Sequence, residues 1–327
     1  MRGSNVSGEG YDVIGDVHGY GDHLEGLLRH MGYVDNGTSF THPCRRAVFV
    51  GDLVDRGPAQ FKTIAIARSM VAAGAAKIVL GNHEINAIGY TLPNPELDGD
   101  YIRIHSDRNK RTHQAFLSQL VEGSAEHGEA ISWFRSLPIW LDLDGLRVVH
   151  ACWHQESIDV LRNFVGLNNA ISHEILVSAP GSPEREALST LTRGPEVKLP
   201  LPYVNRSGGQ RQKARFRWWS EEATTLDQAV TLPGGARAVD GSPYPNLNAE
   251  TVDAPVQIYS DAVPILFGHY WWKGTPARIS PYIGCVDYSV AGGGPLVAYR
   301  WQGESELENE HFVQFSPAAE STAATKH

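Results

Sequence analysis

From Tyr11 to Glu84 the chain repeats one alternation: a short apolar run, a loop of Gly, Asp, His or Asn, then a stretch with helical spacing. Tyr11-Asp-Val-Ile-Gly15 leads into Asp16-Val-His-Gly19 and an amphipathic segment from about Asp22 to Met31. Arg46-Ala-Val-Phe-Val50 leads into Gly51-Asp-Leu-Val-Asp-Arg-Gly57, with Pro58 at a first helical turn and a helix to about Ala73. Lys77-Ile-Val-Leu80 leads into Gly81-Asn-His-Glu84 and another helical start. Strands that alternate with helices predict an α/β sheet, and the loops after the carboxyl ends of such strands are where these sheets hold ligands.

Further along, helical spacing covers about Asp107 to Ser136. Ile139-Trp-Leu-Asp-Leu143, a turn at Asp144-Gly145 and Leu146-Arg-Val-Val-His150 then predict a β-hairpin that opens a second sheet. Late apolar runs at Val263–Phe267, Tyr282–Val286, Leu296–Arg300 and His311–Phe315 supply further strands. The expected architecture is a two-sheet sandwich flanked by helices. Residues 1–10 are expected to be a leader, with Met1-Arg-Gly-Ser4 of expression-vector type, 11–315 the working domain, and 316–327 a flexible Ala/Ser/Thr-rich tail. About 195–255 is rich in Pro, Gly and charge and is expected to form a cap or a surface insertion.

A length of 327 residues supports a sizeable core, and 42% hydrophobic with 20% charged residues excludes a disordered chain. The net charge of −9 disfavours nucleic acid as a partner, so an anionic substrate needs local positive groups such as metals. Cys44, Cys152 and Cys285 are widely spaced and form no CxxC pair, which excludes a disulfide framework and a zinc ribbon and makes a reducing cytoplasm the expected location. Thr63 to Leu80 is apolar-rich but carries Arg68, Gly74 and Lys77. It therefore predicts helix, turn and strand, and no membrane partner is expected.

Candidate ligands stand on the strand-end loops: Asp16 and His18 on the first, Asp52 on the second, Asn82 on the third, with His150 and His269 each ending an apolar run. Carboxylate, amide oxygen and imidazole without thiolate suit a hard or borderline divalent cation. Taken singly, Asp16 reads as a helix cap, His18 as a loop histidine and Asn82 as a turn residue. Their joint order on successive strand ends points instead to one metal centre.

Gly15-Asp-Val-His-Gly19, Gly51-Asp-Leu-Val-Asp-Arg-Gly57 and Gly81-Asn-His-Glu84 resemble the three signature blocks of the calcineurin-like metallophosphoesterases. The likeness is to the phosphoprotein phosphatase branch with its bacterial dinucleoside-tetraphosphatase relatives. His150 and His269 match the fourth and fifth motifs by order and context, so the resemblance covers residues 11 to about 290. It implies a four-layer αββα two-sheet sandwich, two divalent metal ions and attack by a metal-bridging hydroxide. It also implies that Asp16 and His18 bind one metal, that Asn82, His150 and His269 bind the other, and that Asp52 bridges both. Arg56 and Asn82 then hold substrate phosphate, and His83, oriented by Asp55, donates a proton to the leaving group. Manganese is the working choice of metal, since the same ligand set also serves iron and zinc. The first expectation for function is hydrolysis of phosphomonoesters, including phosphoprotein Ser/Thr sites. Dinucleoside-polyphosphate hydrolysis and a non-catalytic binding scaffold are the alternatives, so the partner is a phosphorylated small molecule, nucleotide or protein. Ala151-Cys-Trp153 stands where that branch usually has two glycines, and Tyr270-Trp-Trp272 where a small hydroxyl residue is commoner.

Arg103 to Arg111 reads first as a solvated helix start and second as a contact for anionic substrate, and Trp153 and His154 are expected to line the site, with core packing the alternative for Trp153. Within the insertion, Arg206, Arg211, Lys213, Arg215 and Arg217 alternate with Phe216, Trp218 and Trp219. This run is expected to cap the metal site, with Arg211 and Arg215 as substrate-binding residues, or to take a nucleotide or single-stranded nucleic acid by charge and stacking; an aromatic anchor that holds the insertion onto the core is the alternative.

Overall fold

The computed structural model describes residues 10–204, 208–220, 223–232, 235–248, 250–251 and 259–317. The chain opens with β1 (Gly10–Ile14) and α1 (Gly21–His30), followed by a small ribbon of β2 (Val34–Asp35) and β3 (Phe40–Thr41). Next come β4 (Arg45–Phe49), α2 (Gln60–Ala72), β5 (Ala76–Ile78) and α3 (Asn82–Thr91). The helical region expected from Asp107 to Ser136 divides into α4 (Asp107–Gln119) and α5 (Ala125–Phe134). The break has local causes. Gly123 takes a left-handed φ of 83°, and the Ser124 side chain accepts the His127 N–H as the cap of α5.

The hairpin of β6 (Trp140–Leu143) and β7 (Leu146–Val149) leads through α6 (Gln155–Leu161), α7 (His173–Val177) and α8 (Pro183–Arg193) into the insertion. There β8 (Glu196–Val204), β9 (Gln210–Phe216), α9 (Leu226–Ala229), β10 (Val230–Thr231) and β11 (Arg237–Ala238) follow. The chain ends in β12 (Ile265–Phe267), β13 (Ile283–Cys285), β14 (Leu296–Trp301) and β15 (Phe312–Phe315).

One sheet runs β15-β14-β1-β4-β5, with β1, β4 and β5 parallel as the repeated strand-loop-helix grammar requires. A second runs β13-β12-β7-β6. Val13, Val48, Val50 and Val79 from the first share an apolar cluster with Leu146, Val148, Leu266 and Val286 from the second. On the other face of the first sheet, Ile14, Ala47 and Phe49 join Leu24, Leu27 and Leu28 of α1 in the larger core. Central strands buried on both faces explain why their sequences are apolar runs and not alternations. Each such side chain contributes roughly 1.5–3 kcal/mol.

The insertion builds its own sheet, β10-β9-β8-β11. Along β9, Gln210 to Lys213 are exposed, and the strand then alternates, with Ala214 and Phe216 buried on either side of half-buried Arg215. Trp218 is fully buried, and its indole N–H donates to the Ala151 carbonyl at 3.0 Å while its ring lies 4.9 Å from that of Phe267. It anchors the insertion to the second sheet. Arg206 falls outside the described residues, as do 1–9 and 318–327. The three cysteines are unpaired, and among the described residues no helix is long and apolar enough to cross a membrane.

Candidate active site

The loops after β1, β4 and β5 and the chain just past β7 and β12 bring Asp16, His18, Asp52, Asn82, His150 and His269 together, all buried. Two triads result: His18 with Asp52 and His83, and Asp52 with His150 and His269, the ligand-type atoms of each lying within 4.8 Å of one another. Asp52 is common to both. Its Oδ2 lies 3.7 Å from His18 Nε2 and 3.9 Å from His83 Nε2, and its Oδ1 3.4 Å from His150 Nε2. Asn82 Oδ1 stands 3.2 Å from His150 Nε2. Asp16 Oδ2 is 4.0 Å from His18 Nε2 and accepts the His269 backbone N–H at 3.1 Å.

The imidazoles are aimed. His18 Nδ1 meets the Val54 carbonyl at 3.0 Å and His150 Nδ1 meets the Val50 carbonyl at 2.7 Å, so each Nδ1 carries the proton and each Nε2 lone pair faces the centre. His18 Nε2 and His269 Nε2 are buried and meet no hydrogen-bond partner among the described residues. A buried acceptor left so costs about 1–3 kcal/mol, which a bound cation would offset. Burial, then the charges of Asp287 and Asp52, push the Asp16 carboxyl well up. Burial also raises Asp52, but His150 and His83 outweigh it and hold that group well below the usual carboxylate range. Packed carboxylates with imidazole lone pairs aimed among them fit divalent cations.

Beside the triads, His83 Nδ1 lies 2.5 Å from Asp55 Oδ2, and His113 Nδ1 lies 2.7 Å from Asp55 Oδ1. Burial raises the Asp55 carboxyl, yet the bonds from His113 and His83 bring it down to about 2. Burial depresses His83, and the charges of Asp52 and Asp55 more than reverse this, so it is raised above an ordinary histidine.

The calcineurin-like phosphoesterase family model matches residues 11–269. The chain belongs to that family. That family is one of phosphoesterases. It is 31% identical over 141 residues to an asymmetrical bis(5'-nucleosyl)-tetraphosphatase of Oceanobacillus iheyensis, a match covering 43% of this chain and 54% of that protein. The chain thus spans about half the length of that relative. It is 29% identical over 302 residues to a symmetrical bis(5'-nucleosyl)-tetraphosphatase of Psychromonas ingrahamii, covering 89% and 92% of the two chains. A protein serine/threonine phosphatase of Saccharomyces cerevisiae superposes with a TM-score of 0.50 at 13% identity over 97% of this chain and 82% of its own, a likeness of fold.

Several residues of the phosphoesterase site carried no assigned role in the sequence. The Glu84 carboxylate accepts backbone N–H groups of Asp52, Leu53 and Gly81 at 2.8, 2.8 and 3.1 Å, tying the second loop to the third. Its signal was position: it is the third residue of α3, where a glutamate caps backbone donors. Asp287 accepts from Trp271 N at 2.8 Å and Ser289 N at 2.9 Å, and its only signal was to follow the apolar run ending at Val286. His113 carried none, because α4 delivers it through tertiary packing.

The arginines divide. Arg56 is exposed, with its guanidinium 4.9 Å from the Trp271 ring. Arg215 donates to the His269 carbonyl at 3.2 Å and lies over the same ring at 4.9 Å. Arg103 and Arg193 both donate to Asn86 Oδ1, at 2.8 and 3.0 Å, one helical turn beyond Asn82. Arg193 is crowded, though its side chain still meets solvent. Desolvation, then the Arg185 charge, lowers it, and it also feels Asp52 and Arg211. Arg211 is exposed on β9, and Arg217 turns away to Thr231 Oγ1 and the Gln228 carbonyl. Trp153 packs beneath Arg147, whose guanidinium lies 4.8 Å from its ring, and His154 caps α6 by accepting from Ser157 N.

Non-glycine residues with positive φ cluster here: His18, Asp52, Asp55, Arg56, His269 and Trp271. Each stores about 1–3 kcal/mol of strain that the surrounding bonds must hold. Gly268 has a different constraint, since a Cβ there would sit 2.0 Å from Asp16 Oδ1. Gly268→Ala is therefore expected to lower stability by about 1–3 kcal/mol through overpacking and to displace Asp16. Urea unfolding and the metal content of the purified variant check this, and wild-type values of both would refute it.

Proposed function

We propose that Asp16, His18 and Asp52 would hold one divalent cation, that Asp52, Asn82, His150 and His269 would hold a second, and that the substrate cleaved at this site is a dinucleoside polyphosphate, at one of its phosphoanhydride bonds. The observation that carries the substrate class is the band of arginines around the triads. A single phosphate needs one guanidinium fork, whereas Arg56, Arg103, Arg193, Arg211 and Arg215 together suit a run of phosphates. The tetraphosphatase relatives support the same class. Manganese is the metal proposed for this thiolate-free donor set. The helix-sheet-sheet-helix layering is supported by the apolar cluster shared between the two sheets. A cytoplasmic setting is supported by the unpaired cysteines.

Bound cations supply electrophilic clamping of phosphoryl oxygens and a more acidic water. The chain's own residues do the rest. Arg56 and Arg215 orient the scissile phosphate, while Asn82 touches it beside the metals. Asp55, fixed by His113, keeps His83 protonated and aimed at the departing oxygen. Phosphomonoester hydrolysis, including that of phosphoproteins, is the second reading, because Arg56 and His83 serve any phosphate ester.

With manganese present, kcat/KM for diadenosine tetraphosphate is expected to exceed that for a phosphoserine peptide or p-nitrophenyl phosphate by at least roughly tenfold. That is the margin from one extra charge-assisted hydrogen bond of about 1.5–3 kcal/mol. A preference for the phosphopeptide would overturn the proposal in favour of the second reading.

A further inference from the structure

Behind Trp271 lies a cleft of about 420 Å³ lined by Trp219, Tyr270, Trp272, Arg217 and Lys273. We propose that it is a nucleoside-monophosphate subsite, which takes the base and adjoining phosphate at one end of the polyphosphate chain. The inference rests on the dinucleoside-polyphosphate reading and adds to it where the nucleoside goes.

The volume falls in the ordinary range for a small-molecule site, and the lining pairs π-faces with cations, as an anionic aromatic ligand requires. Trp219 and Tyr270 are buried and form the floor, their rings 4.6 Å apart and edge-on. Trp272 is half-buried, 5.9 Å from Trp219, and Lys273 is exposed at the mouth. Trp271 is the shared wall. It is 41% exposed, which core packing does not explain, and Arg56 and Arg215 both lie over its ring. A phosphate held by those guanidinium groups is thus one indole away from the cleft.

The wall is built in place. Trp271 has φ of 52°, a conformation that a bulky residue adopts only when it is held there. Its N–H donates to Asp287 Oδ2 at 2.8 Å, and the Trp272 N–H donates to the Asp287 carbonyl at 2.9 Å. The residue that fixes both tryptophans is the one whose charge acts on Asp16. Substrate orientation and the metal centre therefore share one support.

The test compares equilibrium binding of AMP and of ribose 5-phosphate, which lacks the base, to the manganese-loaded wild type and to Trp272→Ala, by calorimetry. Wild type is expected to prefer AMP, and Trp272→Ala to lose roughly 5- to 150-fold of AMP affinity, the span seen for removing one stacking partner. Ribose 5-phosphate is expected to bind both proteins alike. Should Trp272→Ala not fold, Trp272→Leu keeps apolar bulk without the stacking face and is expected to lose the same preference. Unchanged AMP affinity in the folded variant, or equal losses for both ligands, would overturn the subsite. The parent reading fails separately. If diadenosine tetraphosphate is not hydrolysed while the AMP preference still depends on Trp272, the subsite stands and the substrate assignment falls. If it is hydrolysed with the same KM by both proteins, the subsite falls alone.

Discussion

Asp52→Asn is expected to lower kcat/KM by at least about 10³-fold and to leave the protein with less than half of its wild-type metal. Asp52 is the vertex of both triads, with one carboxylate oxygen turned towards His18 and His83 and the other towards His150. Asparagine keeps the shape and can still accept the His83 backbone N–H that now meets Oδ1 at 2.9 Å, so the fold is expected to persist. What disappears is the negative charge that the two triads share. Metal clamping contributes several kcal/mol to phosphoryl transfer, and each 1.36 kcal/mol is a factor of ten. Elemental analysis of the purified variant and a manganese titration of its activity make the measurement. Wild-type metal content together with a wild-type rate would sink the shared-vertex arrangement.

The strand-end places of Asp16, His18, Asp52 and Asn82 were legible in sequence because the parallel strands β1, β4 and β5 are buried on both faces. Each appears as an apolar run, so the polar residues that follow mark strand ends without ambiguity. His150 and His269 were legible for the same reason in the second sheet. The strand order was not. Asp12 pairs with Arg300 across β1 and β14, and nothing local to residues 296–301 says that they return to the first sheet instead of extending the second. His113 was hidden because a histidine on an amphipathic helix has no local mark of its partner. The insertion was half legible. Its basic and aromatic residues suited both a cap and an aromatic anchor, but only the fold shows that Trp218 is the anchor, that Arg215 donates to the His269 carbonyl and that Arg193, just before the insertion, joins Arg103 at Asn86.

His83→Ala is expected to slow hydrolysis of an alkyl phosphate by about 10²–10⁴-fold, the usual span for a lost general acid. The loss on p-nitrophenyl phosphate should be far smaller, because p-nitrophenolate leaves as a stable anion without a proton. The same logic bears on the proposed substrate. The oxygen that departs from a phosphoanhydride belongs to a nucleotide phosphate, whose last pKa is about 6, so diadenosine tetraphosphate should resemble the nitrophenyl ester and not the alkyl one. His113→Ala offers the graded case. It removes one of the two imidazoles on Asp55 but leaves the 2.5 Å contact to His83, so it should lower alkyl phosphate turnover less than His83→Ala while keeping the order of leaving groups. The kcat values of both variants on the three substrates decide the matter. Equal losses across all leaving groups would remove His83 from proton donation and leave it as a structural neighbour of Asp52.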